Sequence, residues 1–111
     1  MHGKVIIINN EYCSGGEKIG KVLTDVFLRK LLASLEKPEV IIFYNSGVKF
    51  LTDKSETLTI LEALQISGVD LIACGMCVSG SCDNQPLRIG RVTSMDEIVS
   101  ILMNAQVVIT L

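Results

Sequence analysis

Val69-Asp70-Leu71-Ile72-Ala73-Cys74-Gly75-Met76-Cys77 is the stretch that decides the fold. Val69, Leu71, Ile72 and Ala73 follow the helix-ending Gly68 and predict a short strand buried on both faces. The strand closes on thiols and glycine, and open α/β sheets collect their chemistry at the carboxyl ends of their strands. Val5 to Ile8 and Val40 to Tyr44 have the same β-branched, continuous apolar character and read as strands one and two. Val107 to Leu111 reads as a last strand, and Pro86 to Val92 as an extended segment with a short strand.

Helical spacing fills the intervals between these runs. From Glu17 to Leu35, the residues Ile19, Val22, Leu23, Val26, Phe27, Leu31 and Leu35 recur on one face, and Leu28 and Leu32 widen it. Pro38 closes that segment. Val48 to Leu51 reads as a single turn. A second helix presents Leu58, Leu61, Ala63 and Leu64, with Asp53 or Ser55 as its cap, Glu56 placed for a capping box and Gly68 as its C′ residue. Cys74 to Asn84 is expected to be a loop or broken turn. Ser94-Met95-Asp96-Glu97 is a capping box for a last helix carrying Ile98, Ile101, Leu102 and Ala105. Strands alternating with helices imply parallel pairing and right-handed crossovers. The expected fold is a flavodoxin-like α/β three-layer sandwich, with a mostly parallel sheet of about five strands and helices on both faces. Residues 1–111 read as one domain.

Composition narrows the function classes. Apolar residues make up 49% of the chain and the mean hydropathy is +0.47, so self-association is expected to cover part of the surface. Trp is absent and aromatics are 5%, which leaves an aliphatic core. The net charge of −2, with no Lys/Arg cluster, disfavours a nucleic-acid partner. No run approaches the roughly 18 apolar residues that cross a bilayer. The N-terminus reads as strand one and not as a signal peptide. A cytoplasmic, reducing compartment is therefore expected, in which cysteines serve chemistry more often than structural disulfides.

The polar loops after the strands converge on one sheet edge. Asn9, Asn10, Glu11, Cys13 and Ser14 follow strand one; Asn45, Ser46 and Lys49 follow strand two; Cys74, Gly75 and Cys77 follow strand three. Three of the four cysteines, Cys74, Cys77 and Cys82, fall within nine residues. Such thiols can carry sulfane sulfur, cycle as a redox dithiol, or join Cys13 to hold zinc or a cluster. The metal option lacks a second C-x-x-C. Gly15-Gly16-Glu17-Lys18-Ile19-Gly20-Lys21 nearly spells a phosphate loop, but Val22 stands where a magnesium-binding hydroxyl is needed. His2 is the only histidine, so no Ser-His or Cys-His catalysis has a base away from the terminus. Lys49 is a candidate for raising the local positive potential at the thiols.

Asn45-Ser46-Gly47-Val48-Lys49, the strand leading into Cys74-Gly75-Met76-Cys77, and the tail from Gly90-Arg91-Val92-Thr93-Ser94-Met95-Asp96-Glu97-Ile98-Val99 into Val107-Val108-Ile109-Thr110-Leu111 together resemble the DsrE-like family. The resemblance is closest to the C-terminal domain of its YedF group and spans nearly the whole chain. It implies a flavodoxin-like sheet, cytoplasmic residence, homo-oligomers and sulfur-relay chemistry in which a cysteine after the third strand accepts and passes on sulfane sulfur. Cys74 matches that cysteine and Cys77 the second cysteine of the YedF-type loop. YedF-type proteins usually carry a TusA-like domain ahead of this one. Here the chain opens on strand one, so the expectation is a sulfur donor or acceptor protein acting in trans, of TusA-like type. Where relay members tend to carry an Arg-Gly pair, Ser79-Gly80-Ser81-Cys82 stands instead and gives the loop a third thiol.

These readings lead to a sulfur (or selenium) carrier or transferase that needs no cofactor and no resident metal. Cys74 is expected as persulfide-bearing nucleophile, Cys77 as resolving or relay thiol, and Cys82 as its substitute. Asn9, Asn45, Lys49 and Gly75 are expected to line the pocket, with backbone N–H groups of Gly75 to Cys77 favouring the thiolate. The alternative is a non-catalytic module of the same fold that binds a metal or a small ligand.

Overall fold

The computed structural model describes residues 2–9, 17–52, 56–81 and 86–111. The chain runs through β1 (His2–Ile8), α1 (Glu17–Ala33), β2 (Val40–Phe43), a 3-10 helix (Asn45–Leu51), α2 (Glu56–Ile66), β3 (Asp70–Cys74), α3 (Gly75–Ser81), β4 (Arg91–Thr93), α4 (Met95–Met103) and β5 (Ala105–Thr110). The strands form one five-stranded sheet in the order β4-β3-β2-β1-β5, and every pairing is parallel. The expected α/β class, with a parallel sheet between helices, therefore holds.

Period-two alternation sorts the strand residues into two cores. Ile6, Ile8, Ile41, Phe43, Leu71 and Ala73 pack with Leu28 of α1, Leu61 and Leu64 of α2 and Val78 of α3. Val5, Val40, Ile42, Ile72 and Cys74 pack with Ile98 and Ile101 of α4. This division follows from the crossovers. From β1 to β4 the chain steps outward in one direction, so right-handed connections keep α1 and α2 on one face. The connection to β5 crosses back past β1, so α4 lies on the other face. The winding thus reverses between β1 and β5, at the edge away from the Cys74 strand.

Several boundaries differ from the sequence reading, each for a local reason. The loop expected from Cys74 to Asn84 contains α3 over Gly75–Ser81; Val78 is buried in the first core and holds that turn against the sheet despite two glycines. The single turn expected at Val48 to Leu51 is the end of a 3-10 helix that already begins at Asn45, because Gly47, Val48, Phe50 and Leu51 are all buried. Helix α1 stops at Ala33, before Leu35, which is fully exposed. In the segment from Pro86 to Val92 only Arg91–Thr93 pairs as a strand. The last strand begins at Ala105 rather than Val107. Gly68, at φ +107°, ends α2 in the left-handed region that a C′ glycine tolerates without strain. Ser94 caps α4 as expected, its side chain accepting from the Glu97 N–H at 3.4 Å. Asp53 and Ser55, the expected caps of α2, lie outside the described residues, as does the glycine pair of the near phosphate loop.

One ionic network fastens the short edge strand. The Arg91 guanidinium donates to both carboxylate oxygens of Asp70 at 3.1 and 2.9 Å, and to both of Glu97 at 2.8 and 2.9 Å. It thereby joins β4 to the start of β3 and to the first turn of α4. These bonds, with the Thr93 hydroxyl, hold the Glu97 carboxyl down at about 2, and Arg91 is the larger cause. A depressed carboxyl stabilises the fold above its ordinary value of 4.5 and loses that contribution as pH falls toward 2. Arg91→Met is therefore expected to lower the melting temperature by a few degrees at neutral pH. The gap to the parent should close progressively between pH 4.5 and pH 2 in a melting series. A gap independent of pH would show that the network adds nothing through Glu97. All three side chains are about half exposed, which keeps the effect modest.

Candidate functional site

The register of β2 and β3 builds the site. Phe43 pairs with Ala73, so Tyr44 comes level with Cys74 just beyond the last paired residues. The Tyr44 N–H donates to the Ile8 carbonyl at 2.9 Å, which extends the ladder from β1 across to this point. Cys74, the last residue of β3, is 2% exposed and lies on the α4 face beside Ile42 and Ile72. Cys77 sits in α3, half buried, and touches both cores. Both thiols are free.

The two thiols are hydrogen-bonded to each other, and the Asn45 backbone N–H donates to the Cys77 sulfur. Asn45 sits at φ +49° at the head of the 3-10 helix, a left-handed conformation that asparagine tolerates better than most residues. Its side-chain amide donates to the side-chain Oδ1 of Asn9 at 2.7 Å, which pins the ends of β1 and β2 together. Burial pushes the Cys77 thiol above its ordinary value, and the bond and charge of Cys74 push the same way; the Asn45 N–H opposes them. Tyr44 is half buried, and its phenol is also pushed up, first by burial and then by the negative charge of either thiolate nearby. The Cys77 thiol and the Tyr44 phenol therefore both rest neutral.

The structure thus brings together Cys74, Cys77, Asn45 and Asn9 among the expected residues. Gly75 opens α3 between the two cysteines, where a Cβ would meet Val92 at 3.3 Å. The backbone donor on Cys77 comes from Asn45 across the loop. Lys49 lies in the last turn of the 3-10 helix, about 8 Å along its axis from Asn45. Cys13 and Cys82 lie outside the described residues. Among the described residues no group of three His, Cys, Asp or Glu side chains is placed to hold a metal. Tyr44 is the participant that sequence reasoning treats only as a strand residue. Its signal is the register: only the pairing of Val40 with Asp70 shows that Tyr44 falls beside Cys74.

The fold and site define a parallel α/β protein with a C-x-x-C thiol pair at the carboxyl end of its third strand. No family model and no curated protein matches the chain. Among solved structures it is similar to the YchN protein of E. coli, with a TM-score of 0.65 and 18% identity over 98% of this chain and 99% of that one. It is also similar to MTH1491 of Methanobacterium thermoautotrophicum, a protein of unknown function, with a TM-score of 0.65 and 22% identity over 96% and 99% of the two chains. At these identities the likeness is one of fold. Among the described residues no helix is long and apolar enough to cross a membrane.

Proposed function

We propose that this protein is a cytoplasmic sulfur (or selenium) carrier with transferase-like activity, and that its Cys74/Cys77 pair accepts sulfane sulfur as a persulfide. The observation that carries this reading is the hydrogen-bonded thiol pair at the end of β3, with one backbone N–H already on the Cys77 sulfur. A thiolate attacking a sulfane donor needs a nearby group to stabilise it and an edge of the fold where a donor can dock. The Asn45 N–H is the first, and the carboxyl end of a parallel sheet is the second. The DsrE-like pattern of the sequence, with Cys74 after the third strand, supports the same reading. Donor and acceptor are proteins acting in trans, of TusA-like type. Self-association accompanies this function: Val22, Leu23 and Val26 on α1 and Val107, Val108 and Ile109 on the edge strand β5 are all at least 40% exposed, more apolar surface than a lone small domain usually shows.

The test is intact-mass spectrometry after brief incubation with inorganic polysulfide. The parent gains one sulfur atom, located by peptide mapping between Gly68 and Arg88. Uptake should be faster at higher pH, because burial keeps Cys77 protonated. The Cys74→Ala/Cys77→Ala double variant, folded by circular dichroism, gains none at that peptide. Equal uptake there by the double variant would place the sulfur on Cys82 and overturn the reading, as would an unmodified parent peptide. Native mass spectra of the same samples read the copy number, and a monomer removes assembly from the reading.

A further inference from the structure

The carrier reading leaves open which thiol is loaded and how the cargo leaves, and the two cysteines differ in ways that decide both. Cys74 is 2% exposed among Ile42, Ile72 and Ile98. Cys77 is half buried, and Met76, the residue just before it in α3, is 77% exposed. A donor reaching this edge meets the Cys77 sulfur first. The Cys74 sulfur lies beneath, already in hydrogen-bond contact with it.

We infer that Cys77 takes up the sulfur and that Cys74 discharges it as hydrogen sulfide by closing a Cys74–Cys77 disulfide. The step rests on the carrier reading and deepens it by naming the product. In loading, the Cys77 thiolate attacks a terminal sulfur of a polysulfide, which leaves as the polysulfide one atom shorter. In discharge, the Cys74 sulfur attacks the inner sulfur of the Cys77 persulfide. The Sγ–Sγ bond forms, and the bond from the Cys77 sulfur to the outer sulfur breaks. The electron pair leaves with the outer sulfur, which takes up the Cys74 proton. The two cysteine sulfurs are oxidised to the disulfide, and the outer sulfur is reduced to sulfide. A dithiol reductant then restores both thiols for a further round.

The surroundings favour this course. Cys74 is packed against aliphatic side chains. Transferring its proton to the departing sulfur means that no charge remains there, and the disulfide is an apolar product in an apolar place. Cys74 ends β3 and Cys77 stands three residues on, in the first turn of α3. The geometry gives the outer thiol the task of capture and the inner thiol that of release.

The experiment loads the protein with polysulfide, removes excess reagent, and follows sulfide release and intact mass together. Cys13 and Cys82 are replaced by serine throughout so that only the two site thiols respond. The parent on this background should release one equivalent of sulfide while its mass falls to that of the disulfide. Cys74→Ala should keep the added sulfur on the Cys77 peptide and release sulfide at least about tenfold more slowly. Cys74→Ser, a closer match in volume, should do the same, and both are checked for folding by thermal melts. Cys77→Ala should take up no sulfur at the site. Sulfide release by folded Cys74→Ala at the parent rate overturns the inference, as does loading of Cys77→Ala on Cys74; either result leaves the carrier reading standing. A parent that takes up no sulfur at either site thiol overturns both.

Discussion

Phe43→Ala is expected to remove about 3–5 kcal/mol of stability, the range for deleting a buried aromatic ring. Phe43 is fully buried and is the largest such side chain among the described residues. It stands in β2 between Ile8 of β1 and Ala73 of β3, where the small Ala73 leaves room for the ring. The core it shares includes Leu61 and Leu64 of α2 and Val48 and Leu51 of the 3-10 helix. Removing the ring opens a void that this crowded layer cannot close by rotating one side chain, because its neighbours belong to four elements. At roughly 4 °C or more per kcal/mol for a small domain, the melting temperature should fall by well over ten degrees. Urea denaturation at constant slope is the check; a loss below about 1 kcal/mol would mean that β2 does not lie at the centre of the sheet.

Gly47→Ala should be the most damaging small substitution, costing about 1–3 kcal/mol. The reason is contact rather than conformation. A methyl group on Gly47 would lie 2.6 Å from the Ile8 carbonyl oxygen and 3.3 Å from its carbon. That oxygen cannot move away, since it accepts the Tyr44 N–H at 2.9 Å. The 3-10 helix must shift instead, and it carries Asn45, whose N–H meets Cys77. The variant therefore has a second readout. With the Asn45 N–H withdrawn, the Cys77 thiol should move further above its ordinary range, and its alkylation at neutral pH should slow. Unchanged melting and unchanged alkylation would show that the helix does not rest on the end of β1. A destabilised protein with normal alkylation would separate packing from the site.

The elements with strong periodicity are legible in the sequence. Val5 to Ile8, Val40 to Tyr44 and Val69 to Ala73 read as buried strands because β-branched and aliphatic residues occupy both faces, and to within a few residues at the ends they are β1, β2 and β3 of the parallel sheet. The Ser94 cap was equally legible, because a hydroxyl three residues before a glutamate satisfies a local rule. Helix α3 was not. Gly75, Gly80 and the serines around them favour turns locally, and the packing of Val78 into the distant first core is what overrides that preference. The Arg91 network is not legible in the sequence for a similar reason: Asp70 is twenty-one residues away in the chain, and nothing local links them.

For the site, sequence alone determined that two thiols would stand at the carboxyl end of the third strand, since a buried apolar run followed by C-x-x-C admits little else in an alternating β/α chain. It also determined the aliphatic character of the two cores. Tertiary structure alone decided that Cys74 is buried while Cys77 is reachable, that the donor on Cys77 is the N–H of Asn45, and that Tyr44 flanks the pair. Those facts depend on the register between β2 and β3 and on the seating of the 3-10 helix against Ile8. Local patterns set which face a residue takes; only the packed sheet sets which residues from separate strands share that face at the same level.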